Sequence, residues 1–419
     1  MSKNLNNEWD VIVIGAGAAG LFAAGTAAAR NRRTLLLEKN TKLGVKILMS
    51  GGTRCNLTHN TDWQGIADAF GKRQGRFLKF ALANFPPNRV VSFFHNLGVF
   101  TKIEETGKIF PLSNRAIDVR DALVRYASQA GAEIIYPAAV NHVLKTANGF
   151  SVRCGDQEFL AASVVIACGG QSYPGCGTSG DGYAWVRQLG HSIIEPRPAL
   201  VPLRILETWT HHLSGITIPD TGVSVVSTSG KKLVGDRTDF RGSLLFTHRG
   251  FSGPAPMNIS RVFTDPQNSY DKVLVCDWLP SQPVNALEQD LQTARTSQGG
   301  QSLLTWLSNK VPRRLAEALC MNCDCDATLR MAELSRKCQN QLLHQLKACQ
   351  LNVDGTLGFA KAEVTAGGVE LSEVDAKTME SKIAPKLFLV GEILDVDGPI
   401  GGYNFQAAFS TGYLAGTVA

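Results

Sequence analysis

Residues 10–38 read DVIVIGAGAAGLFAAGTAAARNRRTLLLE. Asp10-Val-Ile-Val-Ile14 is a β-branched run of the kind buried on both faces of a parallel sheet. Gly15-Ala-Gly-Ala-Ala-Gly20 follows at once and leads into a small-residue helical stretch, Leu21–Arg30. The three glycines serve different ends. Gly15 permits a tight turn, Gly17 lets backbone approach a pyrophosphate, and Gly20 lets helix and strand pack closely. The first turn of the helix, from Ala18 and Ala19, presents unpaired N–H groups and a positive dipole end to phosphates. A second strand, Thr34–Leu37, then delivers Glu38, eighteen positions after Gly20, where a carboxylate accepts hydrogen bonds from ribose hydroxyls. The glycines alone are weak evidence; strand, glycines, helix, strand and acid in order define a dinucleotide-binding βαβ unit. A second match, Gly175-Cys-Gly-Thr-Ser-Gly180, does not follow a strand directly and reads as a loop near the active site.

Working outward, 419 residues predict two or three domains, and 44% hydrophobic with 19% charged residues is the composition of a globular enzyme. The net charge of +6 permits a polyanionic partner without requiring one, since no long Lys/Arg tract occurs. The polar start of the chain runs straight into a strand, so a cytoplasmic protein with reduced thiols is expected. Val11–Ala29 approaches the length of a membrane span, but Gly15, Gly17 and Gly20 split it into strand and helix, so no membrane association is expected. Nothing in the sequence sets the oligomeric state.

The first βαβ unit does not separate FAD from NAD, and three further stretches point to FAD. Gly44-Val-Lys-Ile-Leu-Met-Ser-Gly-Gly-Thr-Arg-Cys-Asn56 is a glycine-rich loop that places two cations, Lys46 and Arg54, to face phosphate or flavin oxygens. A helix, Ala116–Gln129, leads into an antiparallel meander (Glu133–Lys145, Gly149–Cys154, Gln157–Leu160) and a strand, Ser163–Cys168, ending in Gly169-Gly170. An insertion of that kind between parallel strands is typical of FAD domains of the glutathione-reductase type. At the other end, Lys386-Leu-Phe-Leu-Val-Gly-Glu-Ile-Leu-Asp395 reads as a buried strand, followed by Gly401-Gly402-Tyr-Asn-Phe-Gln406 and a small-residue helix. Glu392 or Asp395 would bond ribityl or ribose hydroxyls, and the N-terminus of the final helix would stabilise negative charge on the reduced ring. The expected FAD contacts are then Gly15, Gly17, Ala18, Ala19 and Gly20 in the turn, with Glu38 and Lys39 after the second strand. Lys46, Ser50, Gly51, Gly52, Arg54, Cys55 and Asn56 come from the glycine-rich loop. Val140, Ala167, Cys168 and Gly169 come from the insertion and the strand after it. Gly391, Glu392, Asp395, Gly401, Gly402, Tyr403, Asn404 and Phe405 come from the C-terminal segment.

These stretches resemble the BaiN/RdsA (YhiN-type) family of NAD(P)/FAD-dependent oxidoreductases. The N-terminal half carries KILMSGGTRCNLTH (46–59), GKIFPLSNRA (107–116), GGQSYPGCGTSGDGY (169–183) and PALVPL (198–203). The C-terminal half adds LLFTHRGFSGP (244–254), EVTAGGV (363–369), TMESK (378–382) and VGEILDVDGPIGGYNFQAAFSTGYLAG (390–416), all in family order. Thr53 departs from the family's SGGGRCN, where glycine is usual. The resemblance implies an α/β fold: a glutathione-reductase-type FAD-binding Rossmann domain (1–195 and 353–419) interrupted by two insertions. One is β-barrel-like (196–276 and 338–352) and the other helical (277–337). The residues agree: Thr217–Val226, Lys231–Val234 and Gly242–Phe246 alternate like strands, whereas Asn285–Leu319 and Ala327–Ala348 have helical spacing. The resemblance further implies reduction of a conjugated C=C bond with NAD(P)H as a transient electron donor. The basic, housekeeping character of the chain favours a uridine of large-subunit ribosomal RNA, giving dihydrouridine, with a steroid-like small-molecule enone as the alternative substrate. A flavin-containing RNA-binding factor with little catalysis is a third reading.

For chemistry the flavin needs a proton donor beside it. Cys55 is the first candidate, with a packed thiol as the alternative; His248 and Tyr173 are the others, each equally readable as structural. Cys320, Cys323 and Cys325, with Cys338 and Cys349, lie in helix-like sequence and read as coincidental thiols, so no metal is expected. Lys72-Arg-Gln-Gly-Arg-Phe-Leu-Lys-Phe80 interleaves cations with aromatics as RNA-binding surfaces do, although a helix burying Phe77, Phe80 and Leu82 explains it equally. Arg197, Arg204, Lys231, Lys232, Arg237 and Arg241 add scattered positive charge.

Overall fold

The computed structural model describes residues 8–230, 233, 237–266 and 272–419. The expected strand at Lys231–Val234, and with it Lys231 and Lys232, therefore lies outside the described residues apart from Leu233. Contacts divide the chain into two compact units, one running to Pro198 and resuming at Ala362–Ala419, the other Ala199–Lys361.

The first unit is built on a seven-stranded sheet. Its strand Glu8–Ile14 pairs in parallel with Thr34–Leu37 on one side and with Gln157–Ile166 on the other. Gln157–Ile166 is one continuous strand with two kinds of neighbour. Its first half alternates in burial and pairs antiparallel with Gly149–Cys154, while its second half is wholly buried and pairs in parallel with Leu387–Leu389. The expected break between Leu160 and Ser163 is thus absent. Conversely, Glu133–Lys145 is not a single strand. Glu133–Ile135 extends the parallel sheet beside Thr34–Leu37, whereas His142–Thr146 joins the meander. Pro137 between them has no N–H to donate to a ladder, which ends the first strand. The helix expected at Ala116–Gln129 has those bounds.

The chain ends meet because the first helix, Ala18–Ala28, packs against the last, Tyr403–Val418. Small residues make this possible: a Cβ on Gly412 would lie 2.4 Å from the Ala19 carbonyl oxygen, and one on Gly416 2.7 Å from that of Ala23. Arg30 caps the contact by donating to the Gly416 carbonyl at 3.0 Å. The apolar first helix is buried along nearly all its length, so the stretch of almost membrane-spanning length is core. Among the described residues no helix is long and apolar enough to cross a membrane.

The second unit contains a closed six-stranded barrel, in order Leu203–Ile205, Gly250–Ser252, Asp239–Thr247, Thr217–Ser227, Lys272–Asp277 and Cys349–Thr356. Its last strand stays hydrogen-bonded to the first through Val353 and Thr356, so barrel pairing runs beyond position 352. Helices Val284–Ser297, Leu303–Ser308, Arg313–Asn322 and Arg336–Lys347 pack Leu291, Leu307, Leu319 and Leu342 into one core with the barrel's Leu274 and Trp278. Gly299-Gly300 and Pro312 cut the single helical stretch read at Asn285–Leu319 into three. One expectation about the cysteines changes: Cys325 and Cys338 are joined as a disulfide, so that pair is not reduced. Cys320, Cys323 and Cys349 are free and buried, and no metal-holding cluster occurs among the described residues.

Because Gly412 abuts the Ala19 backbone, Gly412→Leu should destabilise the protein by about 2 kcal/mol or more, the cost of overpacking a tight contact. Thermal unfolding checks this; an unchanged midpoint would mean that the two helices can separate freely.

Candidate FAD-binding and active site

The glycine turn lies over the carboxyl ends of the parallel strands, where open α/β sheets hold their ligands. Gly15 has φ of 101°, which favours glycine, and a Cβ there would lie 2.8 Å from the Ala167 carbonyl oxygen. A Cβ on Gly20 would lie 1.8 Å from the Gly15 carbonyl oxygen. Gly17 differs, because nothing lies within 4 Å of where its Cβ would project. That open space above the helix N-terminus fits a pyrophosphate. Glu38 is buried, with Oε2 accepting from Ala16 N at 2.7 Å and Oε1 from Asn40 N at 2.9 Å. A carboxylate has about four acceptor sites, so ribose hydroxyls can still be bonded. Its backbone is pinned as well, through Glu38 N to Ile135 O and Ala138 N to Glu38 O, which places Val140 two residues further along the same loop. Cys168 is pushed up to about 12, first by burial and then by nearby Asp181, and Gly169 follows it at φ 75°.

The glycine-rich loop begins as a helix at Val45, anchored by Gly44 N donating to the Ala16 carbonyl of the glycine turn at 3.0 Å. From Ser50 the backbone leaves helical geometry: Gly51, Gly52, Thr53 and Cys55 have φ of 54°, 66°, 69° and 60°. Thr53, the departure from the family pattern, therefore adopts a left-handed conformation that costs a β-branched residue about 1–2 kcal/mol. The same bend buries the Cys55 thiol completely and raises it to about 12, with only a hydrogen bond involving Ser50 opposing the shift. Asn56 is nearly buried and its Oδ1 has no hydrogen-bond partner, an acceptor suited to an N–H of a bound flavin.

Several expected FAD ligands have protein partners. Arg54 pairs with Glu104, donates from Nε to Asn114 Oδ1 at 3.0 Å, and lies 4.0 Å over the Phe110 ring. That leaves Lys46 as the loop's cation toward the site. Lys39 pairs with Asp181 and donates to Ser179 Oγ, which docks the 175–180 loop, while Asn40 Nδ2 donates to Cys176 O at 3.0 Å. The second glycine motif is thus a loop of this unit.

In the C-terminal segment only Leu387–Leu389 is strand; Gly391–Ile393 is a 3₁₀ turn. Glu392 accepts from Lys46 Nζ, Ser172 Oγ and Thr365 N. Asp395 accepts from Arg73 Nη1 at 2.5 Å and from Gly367 N at 3.0 Å. Both acids serve this scaffold, a role not legible in the sequence. Asn404 staples the loop before it, its Oδ1 accepting from Gly398 N and its Nδ2 donating to Gly398 O. Tyr403 stacks on His59 at 5.0 Å, and Phe405 packs on Phe409. Gly401 and Gly402, at φ 147° and 91°, turn the chain into the final helix, whose N-terminus abuts Thr58: a Cβ on Gly402 would lie 2.6 Å from that backbone. Backbone N–H groups of the helix remain to meet a ring edge.

Of the three candidate proton donors, Cys55 is inaccessible and His248 stands exposed on a hairpin turn of the second unit. Tyr173 is half-buried at φ 54° in the first unit. Burial raises its phenol, and nearby Glu363 and Cys176 add to the shift. Glu363 lies close enough to Tyr173 to act on its phenol, and no signal in the sequence marks it as a site residue.

Gly17→Val separates fold from ligand. Its Cβ would meet no protein atom within 4 Å, so thermal stability without ligand should hold. Loss of about 3 kcal/mol of pyrophosphate contact should weaken FAD roughly 100-fold, measured by fluorescence titration. Unchanged affinity would place the pyrophosphate elsewhere.

Comparison with known proteins agrees with this geometry. A family model described as the HI0933-like protein Rossmann domain matches residues 9–418. The chain is 33% identical to a ribosomal RNA dihydrouridine synthase of Escherichia coli, covering 97% of this chain and 96% of that protein. It is 32% identical to a 3-dehydro-bile acid delta(4,6)-reductase of Clostridium scindens, covering 97% and 98%. Among solved structures, a 3-ketosteroid delta1-dehydrogenase from Sterolibacterium denitrificans aligns with a TM-score of 0.50 at 13% identity, over 98% of this chain and 99% of that one, which supports the fold. Matched over nearly its whole length, the chain belongs to the HI0933-like family, as an FAD-dependent oxidoreductase with a Rossmann-type FAD-binding domain.

Proposed function

We propose that this oxidoreductase uses NAD(P)H to reduce a conjugated C=C bond in a uridine of large-subunit ribosomal RNA, giving dihydrouridine. The observation that carries the choice of substrate is a row on the helix Gly71–Asn84. Lys72, Arg76 and Phe80 recur every four residues, so they share one face, and all three are exposed. The burial expected for Phe80 alongside Phe77 and Leu82 does not hold: Phe80 is 41% exposed, while the other two are core. Lys79 lies beside the row, 5.6 Å over the Trp63 ring. Cations along a phosphate backbone with an exposed ring for base stacking are what single-stranded RNA requires. Arg73 takes no part in this row, because it is tied to Asp395 and Glu370. The scattered cations of the second unit contribute less than their number suggests: Arg241 is bidentate to Asp220, and Arg204 pairs with Asp354.

FAD supplies hydride transfer between the nicotinamide and the substrate. The residues of this chain then provide orientation and protonation. Tyr173 is our assignment for the proton donor. Its raised phenol stays protonated at neutral pH, and its strained backbone is of the kind retained where geometry matters. The proton goes to the carbon beside the carbonyl, and the tyrosinate left behind recovers a proton from solvent. Cys55, buried and raised to about 12, packs instead.

Tyr173→Phe should leave FAD content and its reduction by NAD(P)H intact, and should slow reoxidation by substrate about 100-fold or more in stopped-flow absorbance. Normal reoxidation would remove Tyr173 as the acid. In the host, deleting the gene should abolish one dihydrouridine of large-subunit rRNA. The wild-type chain should restore it, and a Lys72→Glu/Arg76→Glu chain that retains FAD should not. An unchanged rRNA profile would eliminate this substrate. A second reading, a small-molecule enone reductase, is favoured by the near-equal identity to the bile-acid reductase. Turnover of a small steroid-like enone without RNA would establish it.

A further inference from the structure

Four residues far apart in sequence meet at the carboxyl edge of the parallel sheet. Lys46 Nζ donates to Glu392 Oε2 at 2.5 Å and to Ser172 Oγ at 2.6 Å. The Ser172 hydroxyl donates to Glu392 Oε1 at 2.7 Å, and Thr365 N donates to the same oxygen at 2.9 Å. Thr365 Oγ1 in turn accepts from Gln171 N at 2.8 Å and Ser172 N at 3.1 Å. The packing leaves little slack, since a Cβ on Gly170 would lie 2.6 Å from Thr365 Cβ and 3.1 Å from Glu392 Oε1. Lys46, Ser172 and Glu392 each follow the end of a strand, respectively Thr34–Leu37, Gln157–Ile166 and Leu387–Leu389. All three strands run parallel, so the cluster lies on the ligand side of the sheet.

An ammonium has three donors, and two of Lys46's are committed here. The group is held rather than mobile: its helix starts on a hydrogen bond to the glycine turn, and its side chain is 29% exposed. Arg54, the other cation of the loop, is bound to Glu104. Lys46 is therefore the fixed positive charge that this loop contributes, and Glu392 is its fixed counter-charge.

We propose that Lys46 stabilises the negative charge carried by the reduced flavin ring, and that Glu392, a positioning residue acting through Lys46, sets how much of that charge the ring experiences. In a partly buried site a charge several ångströms away is only weakly screened. The pair would thereby tune how readily the bound FAD is reduced. This rests on the FAD site and not on the choice of substrate, so it stands whether RNA or an enone is reduced.

The test is the midpoint potential of FAD in the purified holoprotein, measured by dye equilibration without any substrate. Lys46→Met should lower the potential, because the ring loses a cation and keeps Glu392. Glu392→Gln should raise it, because the counter-charge is gone; the amide oxygen can still accept from Ser172 Oγ and Thr365 N, whereas the amide NH2 no longer accepts from Lys46. Lys46→Arg should stay near the wild-type value. A purely structural network would move the Met and Gln variants in the same direction or not at all, and either result overturns the proposal. Should Lys46→Met release its FAD, the Glu392→Gln protein decides: a raised potential supports the assignment, and an unchanged or lowered one overturns it.

Discussion

The backbone-to-backbone contact between the first and last helices is the constraint on which the rest depends. Gly412 and Gly416 face Ala19 and Ala23 closely enough that a Cβ at either glycine would overlap a carbonyl oxygen. Small residues at four-residue spacing let two helices approach until dispersion contacts run along their length. The consequence is functional. The final helix has its start beside Thr58 and its body against the helix that opens at the glycine turn. The glycine turn near one chain end and the start of the final helix at the other thus border one candidate site.

The second organising feature is charge held in place. Between Gly391 and Gly398 the chain carries three acids, and each has a partner from the N-terminal half. Glu392 has Lys46, Asp395 has Arg73, and Asp397 accepts from Gln74 Nε2 at 2.9 Å. Asp395 and Asp397 are buried, where an unpaired carboxylate would be costly, so these bonds are a condition of the local fold. They also fix charges at the candidate cofactor site, where a dipole or charge held in place stabilises developing charge without first having to reorient. Gly51, Gly52, Thr53 and Cys55 all have left-handed backbone at the same edge, and Thr53 bears strain that a glycine would have avoided.

Much of the first unit is legible in the sequence because its signals are local. The β-branched run, the three glycines and Glu38 lie within 10–38, and the meander strands Gly149–Cys154 and Gln157–Leu160 are separated only by a short turn. The family resemblance supplies the barrel and the helices. What escapes is decided by partners distant in sequence. Nothing around Arg54 announces Glu104 and Phe110, and nothing around Asp395 announces Arg73. Residue type alone therefore does not show that these side chains already have partners within the protein. Glu133–Lys145 misleads because an apolar-polar run looks the same whether one strand or two compose it. Phe80 misleads because helical spacing alone does not say which flank of an apolar stripe is covered. The Cys325–Cys338 pairing follows from helix packing within the second unit, which spacing does not encode.

The cycle we propose is a single one, in which the chain holds FAD, takes electrons from a nicotinamide and passes them to a uridine. The most direct test is the visible absorbance of the purified protein under anaerobic conditions. NAD(P)H is added first, then large-subunit rRNA from cells lacking the gene. The account predicts about one FAD per chain, bleached by the nicotinamide and recoloured by that rRNA but not by rRNA from wild-type cells. A flavin that NAD(P)H bleaches and neither rRNA recolours would contradict it.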